Sequence, residues 1–286
     1  MKEINQCPVC QSDLKPHLSV HDLFGEQEQF EVLQCRNCNT LETNPQPDQS
    51  EIVKYYKSNS YVSHGDTKSS LFDQVYKTIQ GINQSSKLKL IKKYSLGKTI
   101  LDYGAGNGAF LNYMKSKEYN CTAVEPDAKA RALIDSDIPS FTNIEQVKQS
   151  FDIISCIHVL EHVHDITDLL NQFKAMLTRN GIIVLALPNH QSYDAHHYQE
   201  YWAGYDVPRH LHHFSQKSIS TLTQKVGLNL VGIFPLKFDS YYVSLLSEQY
   251  KKSNFAPIRG AYRGFISNRK AHKSGEYSSL IYVITN

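Results

Sequence analysis

The amino-acid sequence predicts an α/β protein built on a mostly parallel, doubly wound sheet, preceded by a small N-terminal metal-binding module. Short apolar strands alternate with helices along the second two thirds of the chain, and one strand runs directly into a glycine-rich turn. Two Cys-x-x-Cys pairs near the start predict the metal-binding module. The length of 286 residues suffices for one such domain and a small appendage.

The bulk properties are those of an ordinary soluble globular protein. The chain is 41% hydrophobic and 20% charged, and its formal net charge of +2 does not by itself indicate a nucleic-acid partner. The first residues, MKEINQCPVC, lack the apolar region of a signal peptide, and no run of about 18 apolar residues occurs. We therefore expect a cytoplasmic protein with no transmembrane segment.

Residues 1–45 form a compositional unit that resembles a zinc ribbon. Two cysteine pairs flank an alternating, strand-like stretch, and four thiolates at this spacing suit a tetrahedral Zn²⁺ ion. All four positions would be protein ligands, so we expect the metal to be structural. The predicted ligands are Cys7, Cys10, Cys35 and Cys38.

The segment 46–95 is predicted to contain a linker and two helices, at 51–61 and 71–94. Pro45 and Pro47 mark the linker, and apolar residues at helical spacing, such as Leu71, Val75 and Ile79, indicate the second helix. The remaining residues, 96–286, form the predicted sheet domain. Its predicted strands are 99–103, 121–124, 151–157, 181–187, 228–234 and 279–284, and its predicted helices include 109–117, 128–135 and 166–178.

The glycine-rich segment ILDYGAGNGAF places a tight turn after the first buried strand. Gly104 and Gly106 allow a sharp turn and a close approach to a ligand, and Gly108 allows close packing. Such a turn alone is equally typical of dinucleotide-binding proteins. However, Asp102 at the strand end suits an ammonium group better than a pyrophosphate, and Glu125 at the end of the next strand is placed for ribose hydroxyls.

Four ordered motifs, ILDYGAGNGAF, AVEPD, FDIISCIHVLEHV and GIIVLALPN, together resemble the class I S-adenosylmethionine (SAM)-dependent methyltransferases over about residues 85–235. With the CPVC…CRNC pair, YYKSNSYVSHG and DVPRHLHHFS, the chain also resembles a bacterial subgroup that carries an N-terminal zinc ribbon. The resemblance implies a seven-stranded Rossmann-like methyltransferase sheet and SAM as the cofactor.

The same resemblance implies roles for individual residues. The methionine end of SAM is expected at Asp102 and the glycine turn, the ribose at Glu125, the cofactor flank at Ile157 and His158, and the adenine near Asn143 and Ile144. The predicted cofactor-binding residues are Asp102, Gly104, Ala105, Gly106, Gly108, Glu125, Pro126, Ile157 and His158.

Acids and histidines suited to catalysis follow the third predicted strand and recur near residue 210. His158, Glu161 and His162 match the H-x-x-E-H string of one class of zinc proteases, but a strand runs directly into the first histidine, where the protease motif needs a helix. We interpret the segment as a strand-to-helix turn at an active-site rim. A catalytic, a metal-binding and a structural role remain open for this cluster. The predicted catalytic residues are His158, Glu161, His162, Asp206, Arg209, His210 and His213.

The stretch 249–275 contains seven Lys and Arg residues and no Asp or Glu, and a lid insertion is predicted around 239–278. A solvated basic face is the simplest interpretation. The more specific one is a cap over an anionic or sugar-derived small molecule that accepts a methyl group on oxygen or carbon. The alternative is a zinc-ribbon-assisted RNA methyltransferase, which the balanced overall charge disfavours without excluding nucleic acid.

Overall fold

A computed structural model describes residues 1–25, 27–56 and 71–286, with the side chains of 71–80 outside that description. Three parts of the predictions therefore lie outside the described residues. They are the end of the first predicted helix, 57–61, the segment KSNSYVSHG, and the side chains of Leu71, Val75 and Ile79. The described N-terminal elements are β1 (Leu14–His21), β2 (Gln29–Cys35), β3 (Leu41–Asn44), α1 (Val53–Tyr56) and α2 (Leu71–Tyr94).

From residue 99 onward, strands and helices alternate as predicted. The first part of this region contains β4 (Thr99–Tyr103), α3 (Ala109–Lys115), β5 (Asn120–Val124), α4 (Ala128–Arg131), β6 (Ser140–Phe141), β7 (Phe151–Ile157), α5 (Ile166–Met176) and β8 (Leu177–Pro188). The second part contains α6 (Tyr193–Tyr198), β9 (His212–His213), α7 (Gln216–Lys225), β10 (Asn229–Pro235), α8 (Asp239–Tyr250), α9 (Ala256–Ser274) and β11 (Ser279–Thr285).

The main sheet has seven strands in the order β10-β11-β8-β7-β4-β5-β6. All neighbours from β8 to β6 pair in parallel, and β11 is antiparallel to both β8 and β10. From β4 the chain first adds β5 and β6 on one side, and then β7 and β8 on the other. Strand order thus reverses between β4 and β7, and ligands of such sheets bind beyond the carboxyl ends of strands at this point.

The sheet is buried on both faces, which explains the continuous apolar runs of its central strands. Neighbouring residues of a strand point to opposite faces. Leu101 accordingly joins the apolar cluster that contains Phe173 of α5, whereas Ile100 joins the cluster that contains Leu88 of α2 and Leu111 of α3. The predicted doubly wound α/β fold is confirmed.

The predicted strands 99–103 and 151–157 have their predicted ends. Strands β5 and β11 are one residue longer than predicted, β8 is five residues longer, and β10 is shifted by one residue. Each predicted helix after β4 ends earlier than predicted. In α4 the last turn tightens, because the amide of Ile134 donates to the carbonyl of Arg131 three residues before it. Helix α5 ends at Met176 because Leu177 already pairs with Phe151 in the sheet. The two-residue strands β6 and β9 were not predicted.

The N-terminal module shares its sheet with a segment of the C-terminal sheet domain. Strands β1, β2, β3 and β9 form one four-stranded antiparallel sheet, in which Leu41 faces His213 and Glu42 faces His212. The Lys225 ammonium of α7 also donates to the carbonyl of Pro8. The predicted module 1–45 is thus contiguous in sequence, but its sheet is completed by residues far along the chain.

Helices α8 and α9 form a hairpin that connects β10 to β11, where the lid was predicted. Two glycines of α9 bring the helices close: a Cβ atom at Gly260 would lie 2.7 Å from the Cα atom of Leu245, and one at Gly264 would lie 2.7 Å from that of Tyr241. Buried Asp194 of α6 anchors α9, because its carboxylate accepts hydrogen bonds from Trp202, Ser267 and Ser278. Among the described residues, no helix is both long and apolar enough to span a membrane.

Candidate active site

The glycine-rich turn begins at the carboxyl end of β4 and has room for a ligand beside it. Gly104, Gly106 and Gly108 all have a positive φ, the region that glycine enters without steric cost. A Cβ atom at Gly104 would lie 2.3 Å from the side chain of Val159, whereas one at Gly106 would have no neighbour within 4 Å. Gly104 therefore packs against the segment after β7, and the backbone at Gly106 faces free space.

Asp102 is a buried carboxylate at the carboxyl end of β4. Its Oδ1 atom accepts a hydrogen bond of 2.6 Å from the hydroxyl of Ser155, which lies opposite on β7. Burial raises the pKa of Asp102 from 3.8 to about 6, although the Ser155 hydrogen bond and the Lys87 ammonium oppose the rise. A bound ammonium group would favour the ionised form of this carboxylate, so Asp102 fits the amino group of a methionine moiety.

Glu125 follows β5, and its carboxylate is fixed by two backbone amides. The amide of Gly106 donates to Oε2 at 2.8 Å, and the amide of Asp127 donates to Oε1 at 2.9 Å. Each carboxylate oxygen can accept a further hydrogen bond, so both remain available to hydroxyl donors. Asp127 caps α4, and Pro126, which lies between Glu125 and Asp127 in the sequence, is exposed. The glycine turn thus positions the acid that was predicted to bind a ribose.

The remaining predicted cofactor residues lie on both sides of this turn. Ala105 and Ile157 are partly buried and pack against the apolar cluster on the α2 side of the sheet. Asn143 caps a short 3-10 turn, where its side chain accepts from the amide of Gln146, and Ile144 is buried. The Asn143 side chain is thus already hydrogen-bonded within its own turn.

His158 directly follows β7, in a left-handed backbone conformation with φ of 55°. Its Nε2 atom lies 3.1 Å from Asp239 Oδ2, and its Nδ1 atom lies 3.7 Å from Glu161 Oε1. Burial would lower the pKa of His158, but these two carboxylates outweigh it and raise the pKa to about 10. His158 therefore carries a proton at neutral pH, although 39% of its side chain is exposed.

Glu161 and His162 lie in a 3-10 turn at Leu160–His162, so the predicted strand-to-turn geometry is found. Burial would raise the pKa of Glu161, but His158 and then His210 and His162 lower it to about 2. The His162 Nδ1 atom lies 2.9 Å from the carbonyl oxygen of Arg209. Helix α5 starts only at Ile166, so Glu161 does not complement a helix N-terminus.

The segment DVPRHLHH connects the N-terminal sheet to this turn. Arg209 is fully buried and forms ion pairs with Asp22 at 2.8 Å and Asp206 at 2.7 Å. His213 is also buried; its Nε2 atom lies 3.1 Å from the Thr43 hydroxyl, and burial holds its pKa well below the usual value. The contacts of Arg209 and His213 are thus with protein groups, away from solvent.

His210 lies closer to the acids after β7. Its Nδ1 atom is 2.9 Å from the carbonyl oxygen of Gly204, and its Nε2 atom is 4.0 Å from Glu161 Oε1. The predicted catalytic residues therefore divide into two groups. His158, Glu161, His162 and His210 come together, whereas Asp206, Arg209 and His213 join the segment after β7 to the N-terminal sheet.

Two charged residues of this region were not predicted. Asp239, the first residue of α8, pairs with His158, and Lys87 of α2 lies close enough to Asp102 and Asp239 to be influenced by both charges. Burial lowers the pKa of Lys87, which these carboxylates oppose. An acid in the first turn of a helix is a weak signal, and nothing in the lysine-rich α2 sequence distinguishes Lys87 from its neighbours.

The four predicted metal ligands of the N-terminal module form one cluster. All four Sγ atoms lie within 4.8 Å of one another, and the Cys7–Cys38 and Cys10–Cys35 pairs are each 3.4 Å apart. Sulfur ligands at about 2.3 Å around one zinc ion lie about 3.8 Å apart. The cluster therefore fits a zinc ribbon module.

Comparisons with known proteins agree with this geometry. A family model described as a methyltransferase domain matches residues 77–233, which is more than half of the chain. A ubiquinone biosynthesis O-methyltransferase of Pseudomonas aeruginosa is 24% identical over 177 residues, covering 55% of this chain and 74% of that protein.

Solved structures share the fold. The magnesium protoporphyrin IX methyltransferase of Synechocystis PCC 6803, solved with bound SAM, is 13% identical, covers 85% of this chain and all of its own, and has a TM-score of 0.51. A chain of the Haloferax volcanii complex between the Trm112 methyltransferase activator and a methyltransferase is 12% identical. It covers 75% of this chain and 95% of its own, with a TM-score of 0.51. The chain belongs to the methyltransferase domain family and is a class I SAM-dependent methyltransferase with an N-terminal cysteine cluster of the zinc-ribbon type.

Proposed function

We propose that this methyltransferase transfers the methyl group of SAM to an oxygen or carbon atom of a small-molecule acceptor that is anionic or sugar-derived. The observation that carries the proposal is the charged group after β7. His158 pairs with both Glu161 and Asp239 beyond the carboxyl end of the strand that neighbours β4. That position adjoins the glycine turn, since Gly104 packs on Val159.

The cofactor is assigned to the free space beside Gly106. Asp102 would hold the ammonium of SAM, and Glu125 would accept hydrogen bonds from the ribose hydroxyls. Both acids suit a cofactor that carries a positively charged sulfonium and ammonium. The partly buried Lys87 nearby would favour the carboxylate of the methionine moiety through its charge.

The acceptor would be held by positive charge. A protonated His158 cannot remove a proton at neutral pH, so its role in this proposal is to donate a hydrogen bond to a negatively charged or carbonyl oxygen. The α8–α9 hairpin adds exposed basic residues, among them Arg259, Arg269 and Lys270. The relative from Pseudomonas aeruginosa is named an O-methyltransferase, which supports oxygen as the accepting atom.

The hairpin's contribution is tested by reversing charge. In the double variant Arg259→Glu/Arg263→Glu, we expect the KM for an anionic acceptor to rise by about tenfold, equivalent to ~1.4 kcal/mol of lost attraction. The assay measures S-adenosylhomocysteine formation with phosphorylated sugars and neutral hydroxylated compounds as candidate acceptors. SAM affinity should stay constant.

The matched control reverses two exposed lysines outside the hairpin, Lys148→Glu and Lys217→Glu. These changes should leave the KM for the same acceptor unchanged. An equal rise in both double variants would show a general effect of net charge. An unchanged KM in the hairpin variant would refute an anionic acceptor held by α9, and methylation of RNA alone would replace the small-molecule assignment.

We further propose that Cys7, Cys10, Cys35 and Cys38 bind one structural Zn²⁺ ion. The support is the donor set: four thiol groups at tetrahedral spacing, three of them buried. A bound zinc ion would hold the ends of β1, β2 and β3 together. The module contributes β3 to the sheet that holds His212 and His213, so zinc would stabilise the segment behind the predicted acceptor site.

A further inference from the structure

We propose that Glu161, His162 and His210 form a second metal site, which binds a borderline divalent cation such as Zn²⁺, Fe²⁺ or Co²⁺. One ligand atom from each residue lies within 4.8 Å of the others, at the carboxyl end of β7. This site is separate from the cysteine cluster and uses different chemistry: one carboxylate and two imidazoles in place of four thiolates.

The state of the Glu161 carboxylate favours a bound cation. The residue is 1% exposed, and neither of its carboxylate oxygens has a hydrogen-bond partner among the described residues. The neighbouring imidazole nitrogens, at 3.7 Å for His158 and 4.0 Å for His210, are too far away for hydrogen bonds. A buried carboxylate without hydrogen bonds is costly, and a bound cation would satisfy both oxygens.

The orientation of the two histidines also favours a bound cation. A carbonyl oxygen only accepts hydrogen bonds, so Nδ1 must be the protonated nitrogen in both rings: His162 donates to the carbonyl of Arg209, and His210 to that of Gly204. In the neutral rings each Nε2 atom then keeps its lone pair. Histidines that bind metals usually donate their other ring nitrogen to a carbonyl or carboxylate in this way.

The distances suit one ion after a small adjustment. Ligand atoms at about 2.1 Å from a common ion lie at most about 4.2 Å apart. The present spread of up to 4.8 Å therefore requires side-chain movements of a few tenths of an ångström. Two imidazoles and one carboxylate are typical of zinc and non-haem iron sites, and three protein ligands leave at least one coordination position for water or another oxygen ligand.

The site lies beside the predicted acceptor position, because Glu161 Oε1 is 3.7 Å from His158 Nδ1. If the proposed function is correct, the remaining coordination position would take an acceptor oxygen and lower the pKa of its hydroxyl group. The metal site itself does not depend on that function. SAM binding measured in the metal-free protein separates the two, since the proposed cofactor residues Asp102, in β4, and Glu125, after β5, are not among the proposed metal ligands.

The test counts metal equivalents in the full-length chain. Protein with zinc retained in the cysteine cluster is titrated with Co²⁺, and binding is followed by calorimetry and visible absorption. We expect one equivalent of Co²⁺ without the intense sulfur-to-cobalt absorption that thiolate ligands produce. Glu161→Gln and His210→Gln should each weaken this binding by at least about 100-fold, because each removes a direct ligand.

Two controls separate this site from the cysteine cluster and from surface histidines. Cys35→Ser should lose the thiolate site and keep the Co²⁺ equivalent, and His197→Gln, outside the cluster, should bind as the wild type does. If Glu161→Gln fails to fold, His210→Gln gives the answer. Absence of a non-thiolate equivalent at millimolar Co²⁺, or equal binding by wild type and His210→Gln, would overturn the proposal.

Discussion

Replacing Asp102 with asparagine should stabilise the cofactor-free protein while it weakens SAM binding. Burial raises the pKa of Asp102 from 3.8 to about 6, so at pH 8 the folded protein holds a carboxylate whose ionisation is less favourable than in the unfolded chain. The shift corresponds to about 3 kcal/mol, since one pKa unit is about 1.4 kcal/mol. The amide carries no charge, so it removes this cost and can still accept the Ser155 hydrogen bond.

The sign of the pH dependence follows from the same shift. A raised folded-state pKa means that the contribution of Asp102 to stability is fully present below pH 3.8 and is lost as the pH rises through about 6. Asp102→Asn should therefore raise the free energy of unfolding by ~1–3 kcal/mol at pH 8 and by little at pH 4. Urea denaturation at the two pH values measures this difference.

SAM binding should change in the opposite direction. Loss of the charge-assisted hydrogen bond to the ammonium group costs ~1.5–3 kcal/mol, or about 10- to 150-fold in Kd by calorimetry. In the wild type, SAM affinity should fall about tenfold per pH unit below 6, because protonation competes with the ammonium. Asp13→Asn, a change of an exposed carboxylate, should affect neither quantity. A variant that is destabilised at pH 8 and binds SAM normally would refute this reasoning.

The other predictions concern the packing that surrounds the site. Arg209→Met should lower the free energy of unfolding by ~3–5 kcal/mol in urea, because it leaves the buried Asp22 without its counter-charge; a loss below 1 kcal/mol would contradict the role assigned to this ion pair. Gly264→Ala should destabilise the protein by ~1–3 kcal/mol, since its Cβ atom would meet the backbone of α8. Gly81→Ala in α2, where a Cβ atom has free space, should instead stabilise by ~0.5–1 kcal/mol, and equal effects of the two substitutions would argue against the close α8–α9 contact. Cys35→Ser should lose about one equivalent of zinc per chain in elemental analysis, and a fully folded wild type that lacks zinc at the cysteine cluster would reject a structural ion there.

The sequence predicted the sheet well because its signals are local. Strands β4 and β7 are mostly apolar, with Asp102 near the end of β4 and His158 directly after β7, and the glycine turn follows β4 without a gap. Strands of two residues, such as β6 and β9, are too short to show a hydrophobic period. Their pairing depends on what the rest of the chain places beside them.

The candidate site was predicted only in part, because its electrostatics come from contacts that are distant in sequence. The acids at 102 and 125 follow strand ends, which a sequence pattern can show. By contrast, Asp239 meets His158 from a helix 81 residues later, and Asp22 meets Arg209 across 187 residues. A histidine chosen for its ordinary pKa near neutrality proves to have a pKa of about 10, for reasons that only the fold reveals.

The proposed cofactor site is tested most directly by a crystal structure of the protein with S-adenosylhomocysteine. We expect the amino group of the ligand to contact Asp102, its ribose hydroxyls to contact Glu125, and its homocysteine moiety to pass the backbone of Gly106. The sulfur atom should then lie on the side of the turn that faces His158. A ligand bound elsewhere, or bound here without contact to either carboxylate, would contradict the assignment of the cofactor site.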